Sequence, residues 1–195
     1  MSSLPHGKIG IYKKLSMTYQ PKQGGSKRTM SGSNLIPELI PLVGDKKSVK
    51  IADIGSGPVS KIGDHLDGVE VAVFPSDRRE FDGIDQENME NLTYEGNTFD
   101  IVHCENALDH TPNALSAVKE MMRVCKPEGF VFIKCWLDQK DTGYKHYWNA
   151  KEDGIFTNGT DSFNLKDFGF KIDYTDTGGE RRYSYIVAIL EKPDA

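Results

Sequence analysis

The stretch that decides the fold is KIADIGSGP, residues 50–58. It begins as an apolar run rich in Ile, which indicates a buried β-strand, and it ends in a Gly-Ser-Gly turn. Two glycines allow a left-handed backbone and let a ligand approach the main chain closely. A glycine pair also suits a purely structural tight turn. The stretch alone therefore indicates a strand–turn unit with two interpretations, ligand loop or structural turn.

The residues after the second glycine restrict the ligand that the loop can serve. A dinucleotide-binding loop reads G-x-G-x-x-G, whereas this segment has Ser60 at the third glycine position. Pro58 removes a backbone N–H where a phosphate cradle needs donors. The chain has no G-x-x-x-x-G-K-[ST] motif either. We therefore expect a ligand without phosphate, and a dinucleotide-dependent oxidoreductase is poorly supported.

Strand and helix patterns alternate along the chain. Strands are predicted over 49–54, 69–74 (ended by Pro75), 99–104, 130–136, 170–175 and 181–190. Helices are predicted from Ser33 to Val43 and from Val59 to Leu66. Two more are predicted, one capped by Thr111 and running to Cys125 and one capped by Asp161 and covering SFNLKDF. A polar loop is predicted over 138–160. The predicted fold class is α/β, a doubly wound, mostly parallel, seven-stranded Rossmann-like sheet with a C-terminal antiparallel hairpin. Ligands of such sheets bind beyond the carboxyl ends of the strands, where strand order reverses.

Charge and composition divide the chain unevenly. Residues 1–50 hold nine Lys and Arg against two Asp and Glu, although the chain as a whole carries a net charge of −5. We predict a basic flexible leader or lid over 1–32 and a single domain over 33–195. The leader could attract nucleic acid or an anionic substrate, but a solvated tail or lid is the favoured interpretation.

Composition also sets expectations about location. No segment approaches the roughly 18 consecutive apolar residues of a membrane span, and the first residues lack the apolar core of a signal peptide. The three cysteines lack CxxC spacing and lie in apolar stretches, which indicates buried thiols rather than metal ligands or disulfides. We expect a cytoplasmic protein with no membrane association.

Three segments together resemble the class I S-adenosylmethionine-dependent methyltransferases. ADIGSGP looks like the first motif of that family, ENLTYEGNTFDIVHCENALDHT like its fourth-strand region, and MRVCKPEGFVFIK like its RVLKPGG turn and fifth strand. The segments NALDH and HYWN also look like a less characterised bacterial branch of methyltransferase-like proteins. The resemblance implies the methyltransferase form of the Rossmann-like fold and S-adenosyl-L-methionine as cofactor.

The resemblance also implies a set of cofactor-binding residues. In the glycine loop these are Asp53, Gly55, Ser56 and Gly57, and further along the chain they are Asp77, Asn88, Met89 and Cys104. A carboxylate suits the two vicinal hydroxyls of a ribose, and we assign this role to Asp77, which stands three residues after the aligned position, Phe74. Asp77 could instead cap the turn that follows it. Asn88 can accept from an adenine amine, but it carries no charge.

Candidate catalytic residues follow the predicted strands 99–104 and 130–136. Methyl transfer is an in-line displacement that needs alignment and, for a hydroxyl or a protonated amine, a base. Asp109, His110 and His146 are the candidates, because the pKa of imidazole suits a base near neutral pH. A structural pair at 109–110 and a packing role for His146 remain alternatives. No metal is required.

The predicted function is S-adenosylmethionine-dependent methyl transfer to a small-molecule acceptor. The resemblance to the bacterial branch implies a saccharide, and the N-terminal lysines would suit an anionic metabolite. The alternative is a non-catalytic methyltransferase-like binding or assembly protein with a degraded cofactor site. Because the part after residue 50 is acidic, nucleic acid is an unlikely partner. The sequence leaves the acceptor atom and the oligomeric state open.

Overall fold

The computed structural model describes residues 37–63, 65–66, 68–137, 146–175 and 184–194. Its strands are β1 Ser48–Ile54, β2 His65–Leu66, β3 Val69–Asp77, β4 Asp85–Gln86, β5 Phe99–Glu105, β6 Cys125–Trp136, β7 Asn149–Ala150, β8 Ile155–Thr157, β9 Ser162–Asn164, β10 Lys171–Thr175 and β11 Tyr185–Glu191. Its α-helices are α1 Ile40–Val43 and α2 Ala114–Val124, and 3-10 turns cover Pro37–Leu39, Leu108–His110 and Leu165–Phe168.

One sheet runs in the order β10-β11-β6-β5-β1-β3-β2, with β4 paired to β3. β1 pairs with β5 and β5 with β6 in parallel, whereas β11 pairs antiparallel with both β6 and β10. The predicted Rossmann-like, mostly parallel sheet with a C-terminal antiparallel hairpin is thus confirmed. Chain order reverses between β1 and β5, which places the expected ligand crevice at their carboxyl ends.

The chain forms two compact units, and β1 and β3 each run through both. The first comprises residues 1–49 and 61–72, and the buried side chains of its described part are apolar with the exception of Glu38. The second comprises residues 50–60 and 73–195. Division of the chain into a leader over 1–32 and one domain over 33–195 stays a prediction, since residues 1–36 lie outside the described part.

The core of the second unit lies between the sheet and α2, the only described α-helix longer than one turn. Ala117, Val118 and Met121 of this helix are completely buried, and the helix packs against β5 and β6. Thr111 was predicted as its cap, but the cap is Asn113, whose side chain accepts a hydrogen bond from the Ser116 N–H at 3.1 Å. Thr111 instead donates its hydroxyl proton to Glu90.

Two predicted helices are wrong, and tertiary pairing explains both. The described part of 59–66 contains no helix, because Ser60 bonds back to Asp53 and His65–Leu66 pair with β3. The segment after Asp161 begins as β9, which pairs with β8, and only Leu165–Phe168 forms a 3-10 turn. A neighbouring strand supplies backbone partners that local helix propensity cannot outweigh.

Strand ends also differ from the prediction. β3 continues through Pro75 to Asp77, because the proline φ is compatible with an extended strand and only one N–H donor is lost. β6 begins at Cys125, so the predicted KPEG turn is an irregularity within the strand, with Glu128 at a φ of 58°. The described part of the predicted loop 138–160 contains β7 and β8, which form a small antiparallel sheet with β9. The predicted start at Ser33 lies outside the described residues.

Candidate active site

The glycine loop is held by hydrogen bonds from its own backbone to the end of β3. The N–H groups of Gly55 and Ser56 donate to the Ser76 carbonyl at 2.8 and 2.9 Å, and the Gly57 N–H donates to Oδ2 of Asp77 at 3.0 Å. Pro58 has no N–H to offer. Every backbone donor over residues 55–58 is therefore used within the protein, which agrees with a loop that does not cradle phosphate.

Gly55 lies where only a glycine fits. Its φ is +73°, and a Cβ built on it would lie 2.4 Å from Cβ of Ala107. Met89 is also close, with its Cε 3.4 Å from the same point. By contrast, a Cβ on Gly57 would meet nothing within 4 Å, although its φ is +68°. The loop is thus in close contact with the segment after β5 at Gly55 and faces open space at Gly57.

Asp53, at the end of β1, is buried and fully engaged with two side chains. Its Oδ1 lies 2.7 Å from Nδ1 of His103, the residue opposite it on β5, and its Oδ2 accepts from the Ser60 hydroxyl at 2.6 Å. The ring of His103 stacks on Phe132 at 5.3 Å between centroids. In this structure Asp53 therefore joins the far end of the loop to the centre of the sheet.

Asp77 links the loop to the turn that follows β3. Besides accepting from Gly57, its carboxylate accepts from the Arg79 N–H at 2.9 Å and from Nε of Arg79 at 3.3 Å. It thus caps its own turn, the alternative left open by the sequence. Because a carboxylate has about four acceptor positions, it retains capacity for a further donor.

The remaining predicted cofactor residues differ in accessibility. Met89 is half-buried beside the glycine loop, whereas Asn88 is exposed and its Oδ1 accepts from the Glu90 N–H at 3.1 Å. No described residue between Asp77 and Asn88 is helical. Cys104 is completely buried in the core cluster, so the structure gives it a packing role.

The three candidate catalytic residues come together although 37 positions separate two of them. Nδ1 of His146 lies 2.6 Å from Oδ2 of Asp109, and Nε2 of His110 lies 4.0 Å from the same oxygen. The two imidazole rings are 4.3 Å apart between centroids. An ionised carboxylate only accepts hydrogen bonds, so Nδ1 of His146 is the donor to Asp109, and in the neutral ring the lone pair then lies on Nε2.

These groups are also the ones in the described chain that lie close enough to share a metal ion, with donor atoms within 4.8 Å of one another. The 2.6 Å separation is nevertheless that of a direct hydrogen bond. Two ligands about 2.1 Å from one ion stand roughly 3 Å or more apart. The geometry therefore favours a carboxylate–imidazole pair, and the absence of a required metal stays a prediction.

The backbone around the pair is fixed at both ends. The carbonyl of Asp109 accepts from the N–H groups of Tyr147 and Trp148 at 2.8 and 3.2 Å, which ties the second chain segment to the first. Oε1 of Glu90 accepts from the Thr111 hydroxyl and, at 2.9 Å, from the Asn113 N–H. The 109–113 segment is thus anchored from two directions.

Burial and negative charge raise the pKa of two cysteines near the site. Burial is the main cause for Cys104, and the charges of Asp53 and Asp109 add to it. Burial likewise raises the pKa of Cys135 well above its ordinary value, with Asp109 contributing. Neither thiol is therefore a thiolate near neutral pH.

Sequence reasoning missed His103, Ser60 and Glu90. His103 is hidden inside an apolar strand pattern, and nothing local distinguishes it from a core residue. Ser60 stood out only as a missing third glycine. Glu90 lies in a polar segment without periodicity, so its contacts with Thr111 and Asn113 have no sequence signal.

Comparisons with known proteins find one family model and several solved structures that are similar to this chain. Residues 66–133 match the family model described as a methyltransferase domain. A SAM-dependent methyltransferase from Aquifex aeolicus is 16% identical with a TM-score of 0.52, covering 79% of this chain and 89% of that chain. The 1,6-didemethyltoxoflavin-N1-methyltransferase of Burkholderia thailandensis, solved with 1,6-didemethyltoxoflavin and S-adenosylhomocysteine, is 15% identical with a TM-score of 0.54, covering 100% of this chain and 92% of that chain.

The CMeT domain of the citrinin polyketide synthase is 16% identical with a TM-score of 0.53, and the match covers 75% of this chain and 47% of that chain. At identities this low, the structural likeness shows only that this chain has the Rossmann-like methyltransferase fold. The match of residues 66–133 to the methyltransferase-domain model agrees with the resemblance seen in the motifs, and the fold is the one that this resemblance implies.

Among the described residues, no helix is both long and apolar enough to cross a bilayer.

Proposed function

We propose that this protein transfers the methyl group of S-adenosylmethionine to a hydroxyl of a small-molecule acceptor. The cofactor supplies an electrophilic methyl group on a sulfonium centre. The protein must hold that cofactor without phosphate contacts, align an acceptor, and take up the acceptor proton. Each requirement has a counterpart among the described residues.

The contact between Gly55 and Ala107 is the observation that carries the proposal. It holds the glycine loop against the start of the segment that bears Asp109. Successive Cα atoms are about 3.8 Å apart, so Cα of Asp109 lies within roughly 8 Å of Cα of Ala107. The predicted cofactor loop and the predicted proton acceptor are therefore neighbours at the carboxyl ends of β1 and β5.

The residues of the loop fit a cofactor of this kind. Open space at Gly57 leaves room for close approach of a ligand, and Asp77 beside it retains an acceptor position for a neutral hydroxyl. Ser56 belongs to this loop, and Met89 lies beside it. We assign cofactor binding to Gly55, Ser56, Gly57, Asp77 and Met89, with Asn88 at the exposed rim. Asp53 acts by positioning the loop through Ser60.

Proton uptake is assigned to His146. Asp109 holds its Nδ1–H, which leaves Nε2 free of that proton, the arrangement that a general base requires. His110 packs beside the ring of His146 and closes one side of it. The proposed acceptors are saccharides or anionic metabolites, and the acidic balance beyond residue 50 argues against nucleic acid. Three free buried cysteines support a cytoplasmic location.

One observation favours the alternative, a non-catalytic binding or assembly protein. The backbone N–H groups of the loop already donate to Ser76 and Asp77, so a carboxylate of the ligand would need other hydrogen-bond donors. Cofactor binding separates the two functions. The alternative predicts that neither S-adenosylmethionine nor S-adenosylhomocysteine binds.

The test is titration calorimetry of the full chain with both ligands. We expect binding of each, and we expect Gly57→Val to abolish it by filling the open space. Gly68→Val is the matched control, because Gly68 has a φ of +82°, equally open surroundings, and a place before β3 rather than at its carboxyl end. Absence of binding at about millimolar ligand to the folded wild-type chain would overturn the proposal.

A further inference from the structure

The Asp109–His146 pair has a third member whose part in the proposed reaction is only to pack beside the base. His110 adds a second imidazole, and one donor atom from each of the three side chains lies within 4.8 Å of the other two. The groups come from two chain segments that the Asp109 carbonyl holds together through the N–H groups of Tyr147 and Trp148. Two imidazoles and one carboxylate are ligand types that metal ions use in proteins.

The carboxylate of Asp109 has an unsatisfied oxygen. Its Oδ2 lies 2.6 Å from Nδ1 of His146, but its Oδ1 is buried and has no hydrogen-bond partner among the described residues. Cys135 is close enough for Asp109 to raise the pKa of its thiol, but a thiol is a weak donor. A buried carboxylate oxygen without a strong donor is unfavourable, and a bound cation would compensate its charge.

The cluster is open to an ion at His110. The side chain of His110 is 38% exposed, whereas those of Asp109 and His146 are 6% and 12% exposed. Ligand atoms about 2.1 Å from one tetrahedral ion stand roughly 3.4 Å apart. The 2.6 Å hydrogen bond must therefore lengthen, and Nε2 of His110 must approach Asp109 from its present 4.0 Å. Both changes are below about 1 Å, so small side-chain rotations suffice.

The ligand types select the class of ion. Mg²⁺ and Ca²⁺ prefer oxygen ligands, whereas two of the three side chains in this cluster offer nitrogen. Two imidazoles with one carboxylate suit Zn²⁺ and other divalent transition-metal ions. Three protein ligands also leave the fourth position of a tetrahedral ion to water.

A metal ion at this cluster competes with the proton of His146. Nδ1 donates its proton to Asp109 in the hydrogen-bonded pair, whereas a metal ion takes the lone pair of that same nitrogen. The single proton of the neutral ring then lies on Nε2. Because Nε2 has no lone pair left for a proton from the acceptor, the ring can no longer serve as a base.

We propose that Asp109, His110 and His146 form a site for a divalent transition-metal ion such as Zn²⁺, and that occupation of this site prevents His146 from taking up the acceptor proton. The hydrogen-bonded pair is then the active form, and the metal complex is an inhibited form. The inhibition rests on the proposed methyltransferase function, whereas binding of the ion does not.

Calorimetry of the untagged full chain with ZnCl₂ tests the site. We expect one ion to bind per chain, and we expect MgCl₂ not to displace it. His110→Ala and His146→Ala should each weaken binding at least about tenfold, because each removes one of three ligands. Glu152→Ala is the matched control, since it removes an exposed carboxylate outside the cluster, and it should bind Zn²⁺ as wild type does.

NMR of ¹⁵N-labelled imidazoles tests the effect on the base. One equivalent of ZnCl₂ should move the proton of His146 from Nδ1 to Nε2, and EDTA should reverse the change. His103, whose ring is held by a different carboxylate, is the internal control. Absence of Zn²⁺ binding to the folded chain, or equal affinity in wild type and His110→Ala, would overturn the site. A His146 ring that keeps its proton on Nδ1 with Zn²⁺ bound would overturn the inhibition.

Calorimetry with S-adenosylhomocysteine separates the metal site from the proposed function. The ion does not occupy the glycine loop, so we expect S-adenosylhomocysteine to bind the chain both with and without ZnCl₂. If this ligand binds and Zn²⁺ does not, the metal inference alone fails. If Zn²⁺ binds and S-adenosylhomocysteine does not bind in either condition, the proposed function fails and the inhibition fails with it.

Discussion

Oδ1 of Asp53 lies 2.7 Å from Nδ1 of His103, and the two side chains are 5% and 3% exposed. The residues are 50 positions apart and face each other across β1 and β5. The contact makes Asp53 part of the internal framework of the glycine loop. Nε2 of His103 is buried and has no hydrogen-bond partner, so Asp53 is the only polar support of this ring among the described residues.

Replacing Asp53 should therefore destabilise the protein strongly. Asp53→Ala leaves the buried imidazole without a partner, and we expect the free energy of unfolding to fall by about 3 kcal/mol. Urea denaturation measures the change, and Glu152→Ala, at an exposed position, should stay within about 0.5 kcal/mol of wild type. In a double-mutant cycle with His103→Ala the two losses should be clearly less than additive, and strict additivity would contradict the coupling.

Two alanine substitutions in the glycine loop should differ in their effect on stability. Gly57→Ala meets only the strain of its left-handed φ, roughly 1–2 kcal/mol. Gly55→Ala has similar strain and also brings its Cβ against Ala107, which adds about 1–3 kcal/mol of overpacking. Thermal or urea denaturation compares them. Ala107→Gly should partly rescue Gly55→Ala and should not rescue Gly57→Ala; equal effects of the two single changes would be inconsistent with the contact.

The Asp109–His146 pair predicts a defined tautomer. In the wild-type chain, NMR of ¹⁵N-labelled imidazoles should show His146 protonated at Nδ1 near neutral pH. Asp109→Asn offers an amide in place of the carboxylate and should shift His146 toward the Nε2–H tautomer. His103, whose ring is held by a different carboxylate, provides the internal control. An unchanged His146 spectrum in Asp109→Asn would contradict the pairing.

The same substitution should reduce catalysis without affecting the cofactor. We expect Asp109→Asn to slow methyl transfer about 10²- to 10⁴-fold, as loss of a positioned base does. The measurement is release of S-adenosylhomocysteine from S-adenosylmethionine with D-glucose as acceptor. Calorimetric affinity for S-adenosylhomocysteine should match wild type, and Asp167→Asn should leave both quantities unchanged.

Stability at acidic pH should depend on Glu120. Hydrogen bonds from Arg123 hold the pKa of this carboxyl below its usual value, and the Leu92 N–H contributes. A lowered folded-state pKa contributes stability above the unfolded-state pKa, and that stability is lost as pH falls through the folded-state pKa. Glu120→Gln should therefore be less stable than wild type at pH 6 to 7, and the difference should shrink below about pH 4. A stability difference between Glu120→Gln and wild type that stays constant with pH would argue against this linkage.

Thiol chemistry should report the integrity of the core. All three cysteines are buried and form no disulfide, and burial raises the pKa values of Cys104 and Cys135. We expect no reaction of the native protein with a disulfide reagent such as Ellman's reagent at pH 8, and three reactive thiols after denaturation in urea. Rapid reaction of the native chain would contradict the packing described for β5 and β6.

Much of the central architecture follows from the sequence. Continuous apolar runs predict β1, β5 and β6, because a strand buried on both faces needs no polar alternation. The helical spacing of apolar residues predicts α2, and the glycine pair after β1 predicts the ligand loop. Pro58 and Ser60 also argue against a phosphate cradle without reference to the structure.

The sequence did not predict which residues pair over long distances along the chain. The contacts of Asp53 with His103 and of Asp109 with His146 join positions 50 and 37 residues apart, and no local pattern reports them. The same reason explains the wrong helices after Val59 and Asp161, where strand partners and a serine–aspartate bond override local propensity. Sequence by itself determined which segments are buried strands and where the glycine turn lies that we predict to be the ligand loop. Tertiary structure decided which polar groups meet there, because buried polar atoms take the partners that the folded sheet brings within reach.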